Sequence, residues 1–443
     1  MSIIPQITSA MQSVLTTTAD DTGRLTGFVK RERKVSGSSF IQTLVFGWLA
    51  NPSASLEELT QTAASLGLEI SPQGLDQRFT KEASECLKQT LEAAVGTLIA
   101  DHPVSIPILQ RFNGVYIQDS SVVVLPDELS LIWLGCGGSS EKNTQASVKL
   151  QVRLNMNTGE LAGPYLQAGR VSDRSSELQH QPLPKGALRI ADLGYFSLEN
   201  LSSLKTQQTY WLSRIFSQCM VYDLHGKKWD LVELLGASCD HQLDMPILLG
   251  AIERLPCRLM AIRVPEAVAN ERRRKIRADA TRRGKTPSRR QLKLANWTIL
   301  VTSVPKELLT LDEAFVLMRI RWQIELLFKL WKSHGKIDDW RTEKPFRILC
   351  EFYARLLAML LQHWILLNGC WRFPNRSLTK AAATVRKHAL HFAVSFASGC
   401  RERLQEALEI ISRCLAVGCR LNKRKTEPNT YQLLLEITED GLT

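Results

Sequence analysis

Strand-like apolar runs crowd the middle of this chain while both ends repeat with helical period. That change of period restricts the fold to an α/β body flanked by helices. Up to about residue 105 the pattern is helical. Strands are predicted at 114–119, 129–134, 148–154, 188–192 and 210–215, with two more at 219–224 and 258–264. Helical period returns from Phe346. With 443 residues and 44% hydrophobic side chains, the chain can build about two to four domains with real cores. The turn Gly135-Cys-Gly-Gly-Ser-Ser140 lacks the strand-to-helix setting of a phosphate-binding loop and reads as a flexible turn.

Two of the predicted strands end in carboxylates. Gly114-Val-Tyr-Ile-Gln-Asp119 runs into Ser120 and Ser121, and Ala187-Leu-Arg-Ile-Ala-Asp192 runs into Leu193-Gly194-Tyr195. In α/β sheets chemistry gathers where strands give way to loops, because the sheet fixes position while the loops open. Turn formers and helix caps are also commonly Asp at such places. A third carboxylate, Glu325, lies in a predicted helix over 319–332. At about 100° per residue, Arg321, Glu325, Lys329 and Lys332 fall within roughly 80° of each other. Ile320, Ile324, Leu327 and Trp331 form a separate apolar stripe. One face docks, and the other presents an acid among bases. The same spacing also serves an ordinary surface pair between Arg321 and Glu325, worth about 0.3–0.5 kcal/mol.

Three carboxylates from different elements, with few neutral ligands nearby, suit a hard oxygen-seeking cation such as Mg²⁺ or Mn²⁺ rather than zinc. Two such ions about 4 Å apart activate a water or a 3′-hydroxyl and stabilise the departing oxygen of an in-line displacement at phosphorus. The expected chemistry is phosphodiester cleavage and transfer.

On these residues the sequence resembles the DDE transposases of the insertion-sequence-four group, whose C-terminal signature is Tyr-x2-Arg-x3-Glu-x6-Lys. Arg321, Glu325 and Lys332 match that signature without a gap, and Met318 stands in the place of its Tyr. The family's first Asp matches Asp119 in Ile-Gln-Asp-Ser-Ser, and its second matches Asp192 in Ala-Asp-Leu-Gly-Tyr-Phe. Resemblance continues through 148–154 and 297–305, so it covers the middle half of the chain. It implies a ribonuclease H-like α/β catalytic core with a β-rich insertion between the second Asp and the Glu. Asp119, Asp192 and Glu325 would hold two divalent ions, Mg²⁺ with Mn²⁺ as substitute. Arg321, Lys329 and Lys332 would contact phosphates of the transposon end, and Trp297 would stack on a base flipped from the duplex to form a hairpin. By residue type alone, Trp297 is equally a strand core aromatic. Met318 cannot donate a hydrogen bond to phosphate as a Tyr hydroxyl would.

The 56 Lys plus Arg against 44 Asp plus Glu leave a formal charge of +12, which favours a polyanion partner. The basic residues concentrate in Glu271-Arg-Arg-Arg-Lys-Ile-Arg277, Arg282-Arg-Gly-Lys285 and Ser288-Arg-Arg290. Arg272, Arg273, Arg274 and Lys275 are therefore candidate DNA contacts, although such a run also reads as a solvated loop. Near the N-terminus, Ser55-Leu-Glu-Glu58 fits a capping box, Gly67 a turn, and Ser71-Pro72 an N-cap with proline at the first helical position. Helix, turn and helix resemble a DNA-reading helix-turn-helix with Gln73, Gln77, Arg78 and Lys81 toward a major groove; a plain helical hairpin has the same pattern. Ten cysteines without a Cys-x-x-Cys spacing read as reduced thiols of a cytosolic protein. No signal peptide is expected at Met1-Ser-Ile-Ile-Pro5, and the apolar stretch 356–367 is too short and too polar at Gln362 and His363 for a membrane span.

The expected organisation is a helical DNA-binding region over 1–105, a ribonuclease H-like core in two parts over 106–215 and 296–345, and a β-rich insertion with a basic loop over 216–295. A helical region for dimerisation follows over 346–443. The expected protein is a transposase of the bacterial cytosol or nucleoid. It would act as a homodimer on double-stranded DNA, binding terminal inverted repeats, cutting, and joining the 3′-hydroxyl ends to target DNA. A captured transposase that only binds DNA as a regulator, and a nuclease that cuts without joining, are the alternatives.

Overall fold

The structure, a computed structural model, describes residues 3–31, 34–135, 146–237, 240–422 and 428–440. The turn read at Gly135-Cys-Gly-Gly-Ser-Ser140 lies, beyond Gly135, outside the described residues. The chain divides into two compact units. The first comprises Met1–Ile106, Asp119–Val171 and Trp322–Tyr431; the second comprises Pro107–Gln118, Ser172–Arg321 and Gln432–Thr443.

Ten strands are named in chain order: β1 Val115–Val124, β2 Ser147–Asn155, β3 Leu161–Ala168, β4 Leu188–Ala191, β5 Tyr210–Arg214, β6 Val221–Tyr222, β7 Lys228–Trp229, β8 Gln242–Leu249, β9 Leu255–Arg263 and β10 Trp297–Thr302. Strand β1 begins in the second unit and ends in the first. In the second unit the strand order is β1–β4–β5–β10–β9–β8–β6–β7, and in the first it is β3–β2–β1. β1, β4 and β5 are parallel to one another, with the Leu198–Thr206 helix as the crossover from β4 to β5. From β5 onward the neighbours β10, β9 and β8 are antiparallel. With its many helices the chain is a mixed α/β protein.

The first unit is built around the Pro345–Cys370 helix, which is buried at every position from Ile348 onward. This helix is long and apolar enough to cross a membrane, yet its most apolar window lies wholly inside the protein. Packing explains its hydropathy: a helix apolar on all sides is the centre of a helical cluster. Its last turn breaks at Asn368 and Gly369. Gly369 has φ +105°, and a Cβ there would lie 2.6 Å from Ser412 Oγ, so only glycine lets the Arg401–Gly418 helix approach so closely.

Several predicted strands need correction. Residues 129–134 form no strand: a short 3₁₀ turn occupies Asp127–Leu129, a turn follows, and Leu131 is 97% exposed. β3 escaped prediction because Gly163-Pro164 punctuates it; the pair forms a bulge in β3 opposite Val152 of β2, between the rungs Gln151↔Tyr165 and Arg153↔Ala162, where the ladder tolerates a missing donor. β8 was hidden by Asp244 and Pro246. Arg258 of β9 answers Asp244 with a bidentate pair at 2.6 and 3.1 Å. The basic run is no loop, since Glu266–Arg282 is a 17-residue helix that buries only Ala269. Its Ala, Arg, Lys and Glu residues favour helix, and Glu271–Lys275 pairs at i, i+4 with 2.7 Å. The stretch 216–295 is therefore mixed, with three helices beside its four strands among the described residues.

At the N-terminus both predicted caps are present. Ser55 and Glu58 form the capping box of Leu56–Ser65, and Ser71 caps Pro72–Asp76. The second helix is only five residues long, and Asp76 at its end is paired with Lys344 at 2.7 Å and Arg347 at 2.9 Å. Gln73, Gln77 and Lys81 are exposed and Arg78 is half-buried, but Lys81 already begins the next helix, Lys81–Val95. A single long recognition helix carrying all four residues is not what forms.

Candidate active site

The parallel pairing of β1 with β4 runs from Val115↔Leu188 to Gln118↔Ala191. Asp119 and Asp192 are the residues that immediately follow this last rung on the two strands. Asp119 does not end its strand as predicted, because β1 continues to Val124. What ends at Asp119 is the pairing with β4. Asp192 keeps extended dihedrals, φ −77° and ψ 170°, before the 3₁₀ turn Leu193–Tyr195. It occupies the N-cap position of that turn and makes no side-chain capping bond. The carboxylate is thus not employed as a cap, which removes the simplest structural explanation for an Asp here. Asp119 accepts the Ser120 amide at 2.8 Å, and both aspartates are half-buried.

Glu325 lies in the first turn of the Trp322–Lys329 helix of the first unit. The predicted continuous helix over 319–332 is instead three segments. Leu311–Ile320 ends at Arg321, Trp322–Lys329 follows, and a π-helical stretch spans Leu330–His334. The apolar stripe is as expected: Ile320, Ile324, Leu327 and Trp331 are all at most 1% exposed. Arg321, Glu325 and Lys332 are half-buried and Lys329 is exposed. Lys332 donates from Nζ to the Val122 carbonyl at 2.7 Å, three residues beyond Asp119 on β1. Met318, which the resemblance sets in the place of a Tyr, is buried at 9% in the second unit. Thr310 and Glu313 cap the Leu311–Ile320 helix reciprocally, and Glu313 also holds Arg111 at 2.8 Å.

Among the described residues no group of three or more His, Cys, Asp or Glu forms a ready metal cage. Asp119 and Glu325 belong to the first unit and Asp192 to the second. As donors, though, the three fit a hard divalent ion: all are carboxylates, all are half-buried, and Asp192 has no capping duty.

The second unit also contains a cleft of about 690 Å³ with Trp297 and Ile299 on one side and Arg214, Arg272, Lys275 and Arg283 around it. Trp297 opens β10 opposite Arg263 of β9 and is half-buried, packed against the apolar core of this unit while also lining the cleft. Arg272 donates to the Trp297 carbonyl at 3.0 Å and to Thr298 Oγ1 at 2.9 Å. Burial, and then the Arg214 charge, lower the affinity of its guanidinium for the proton. Arg273 is held by Glu266 at 2.8 Å, by Asn270 at 2.7 Å and by Asn296. Arg274 and Lys275 are exposed. Arg214 was missed in the sequence because a lone Arg after an apolar strand carries no pattern; only the return of the basic helix over β5 and β10 gives it company.

Residues 110–361 match the protein family described as Transposase DDE domain, more than half of the chain, and the chain therefore belongs to the DDE transposases. It is 28% identical over 358 residues to the transposase for insertion sequence element IS231B of Bacillus thuringiensis subsp. berliner, covering 76% of this chain and 74% of that one. The transposase for IS1151 of Clostridium perfringens is 26% identical over 375 residues, 77% of this chain and 76% of the relative. A shorter match, 28% over 199 residues, joins 43% of this chain to 54% of the putative transposase InsL for IS186A of Escherichia coli K12.

Proposed function

We propose that this DDE transposase belongs to the insertion-sequence-four group, binds terminal inverted repeats, cleaves DNA by metal-dependent phosphodiester hydrolysis and transfers the 3′-hydroxyl ends to target DNA. The observation that carries the reading is the β1–β4 register, which ends one residue before Asp119 on one strand and one residue before Asp192 on the other. That is the carboxyl end of neighbouring parallel strands, where α/β sheets hold their chemistry. In this reading the catalytic core is ribonuclease H-like, with the stretch 216–295 inserted into it and helical regions on either side.

Asp119, Asp192 and Glu325 would together hold two Mg²⁺ ions, with Mn²⁺ able to substitute, which supply an activated water or 3′-hydroxyl and a stabilised leaving oxygen. Arg321, Lys329 and Lys332 neutralise phosphates beside the cut, Lys332 exchanging its Val122 carbonyl for a phosphate oxygen. Trp297 offers its exposed face to a base flipped from the duplex as the end bends into a hairpin. Arg274 and Lys275 reach DNA directly, while Arg272 holds the basic helix to β10 and Arg273 holds it to Asn296 just before that strand. Arg78 adds a backbone contact in the N-terminal region. Two copies hold two ends in a homodimer, in the bacterial cytosol or nucleoid; normal single-turnover cutting by a proven monomer would sink the dimer.

The test is incubation of the purified protein with DNA carrying the ends that flank its gene, with Mg²⁺ present or chelated. Metal-dependent 3′-hydroxyl formation and covalent joints to target DNA are expected. Tight binding with no cutting under Mg²⁺ or Mn²⁺ would make the chain a captured regulator, and cutting without joints a nuclease. A second expectation concerns charge. The double variant Arg274→Gln, Lys275→Gln should lower the slope of log binding constant against log salt by about 2, one phosphate contact per cation. An unchanged slope would place the basic helix outside the DNA interface.

A further inference from the structure

We propose that Arg355, assisted by Arg386, is a positioning residue for Glu325: these two buried or half-buried cations fasten the turn that follows the Glu325 helix, and so fix the carboxylate that this turn supports. The proposal rests on Glu325 being a metal ligand. The Trp322–Lys329 helix has eight residues, too few to be stable alone, and it runs directly into the π-helical Leu330–His334. The last carbonyls of a helical segment have no partner within it and need donors from outside.

Here the donors come from elsewhere in the first unit. Arg386 Nη2 donates to the His334 carbonyl at 2.9 Å. Arg355 Nη1 donates to the carbonyls of Lys336 at 2.6 Å and Asp339 at 2.5 Å. Between them, Lys336 has φ +50°, a conformation that costs energy for a side chain of its kind and persists where surroundings hold it. Gly335 presses the same turn onto the Pro345–Cys370 helix, since a Cβ there would lie 2.5 Å from Met359 Sδ.

Arg355 is 3% exposed, and its Nη2 is turned to Glu351 Oε2 at 3.3 Å; Glu351 in turn receives Arg347 Nε at 3.1 Å, and Arg347 holds Asp76. Buried ion clusters of this kind contribute little net stability over apolar packing of the same shape. What this one does is deliver two donors to one turn. Supporting groups behind metal ligands typically account for about 10–100-fold in metal affinity or activity, which sets the scale.

Full-length Arg355→Met, Arg355→Lys, Arg386→Met and Glu325→Gln proteins would be compared with wild type in two measurements. The first is amide hydrogen exchange over 322–340 in the metal-free, DNA-free protein. The second is the Mg²⁺ concentration for half-maximal cleavage of end DNA, with end binding measured alongside. Arg355→Met should exchange about tenfold faster in that segment alone and need about tenfold more Mg²⁺, with end binding within about twofold. Arg355→Lys, which keeps the charge but only a single donor nitrogen, should lie between. If Arg355→Met does not fold, Arg386→Met should show the same pair of changes at about threefold. Faster exchange with a wild-type Mg²⁺ curve, or no change in exchange, would overturn the proposal. Glu325→Gln judges the underlying reading separately: if it cleaves like wild type, Glu325 is no ligand, whereas the exchange data still report whether Arg355 holds the turn.

Discussion

Glu325→Gln should lower metal-dependent cleavage of transposon-end DNA by at least about a thousandfold, roughly 4 kcal/mol of transition-state stabilisation, while end binding stays within about twofold. Glutamine keeps the shape and the half-buried place of Glu325 in the first turn of Trp322–Lys329 but exchanges a charged oxygen for an amide nitrogen, which a hard cation does not accept. The apolar stripe of Ile324, Leu327 and Trp331 is untouched, so the helix should dock as before. Asp119→Asn and Asp192→Asn should behave alike, because the proposed site, three carboxylates from separate elements, has no reserve ligand. Single-turnover cleavage with Mg²⁺, beside a binding measurement at equal salt, decides the matter. Cleavage by Glu325→Gln within about tenfold of wild type would remove Glu325 from the metal site.

The first unit should lose stability in acid through His363, by about 2 kcal/mol between pH 7 and pH 5. His363 sits in the middle of the Pro345–Cys370 helix with its Nε2 bonded to the Gly159 carbonyl at 2.8 Å, so Nε2 carries the hydrogen. Its Nδ1 is buried without a hydrogen-bond partner. Burial pushes the imidazole down from 6.5 to about 4; the Gly159 bond opposes the shift, and the nearby Arg376 charge adds to it. Well above pH 6.5 neither folded nor unfolded chain protonates this ring, and pH has no effect through it. As pH falls from 6.5 toward 4, the unfolded chain takes up a proton that the folded chain refuses, and stability drains across that window. Denaturant unfolding of wild type and His363→Gln at pH 7 and pH 5 isolates the effect, since Gln can still donate to Gly159 but does not titrate. Equal losses in both proteins would mean that other groups carry the acid sensitivity.

The parts legible in the sequence were those governed by local rules. The Ser55–Glu58 capping box and the Ser71-Pro72 cap formed where read, because a cap needs only residues three or four apart. The apolar stripe through Ile320, Ile324, Leu327 and Trp331 was legible for the same reason, as were β2, β4, β5 and β9 within a few residues. Asp119, Asp192 and Glu325 stood out as carboxylates at the edges of these elements.

Other features waited on distant partners. Gly163-Pro164 fits its strand as a bulge opposite Val152 of β2, and Asp244 fits its strand because Arg258 of the neighbouring strand pairs with it. The basic run looked like solvated loop, yet its helix is fastened to β10 by Arg272 and to Asn296 by Arg273. No pattern along the chain announces that the turn after Glu325 needs Arg355 and Arg386, which lie 16 and more residues farther on. By itself the sequence determined the helical and strand periods, the caps, and the three acidic side chains with their basic neighbours, since each depends on residues close along the chain. Only the tertiary structure decided the β1–β4 register and the fastening of the Glu325 turn. Each of these is a hydrogen-bonding choice between segments far apart in sequence, made by whichever buried donor and acceptor had to be satisfied.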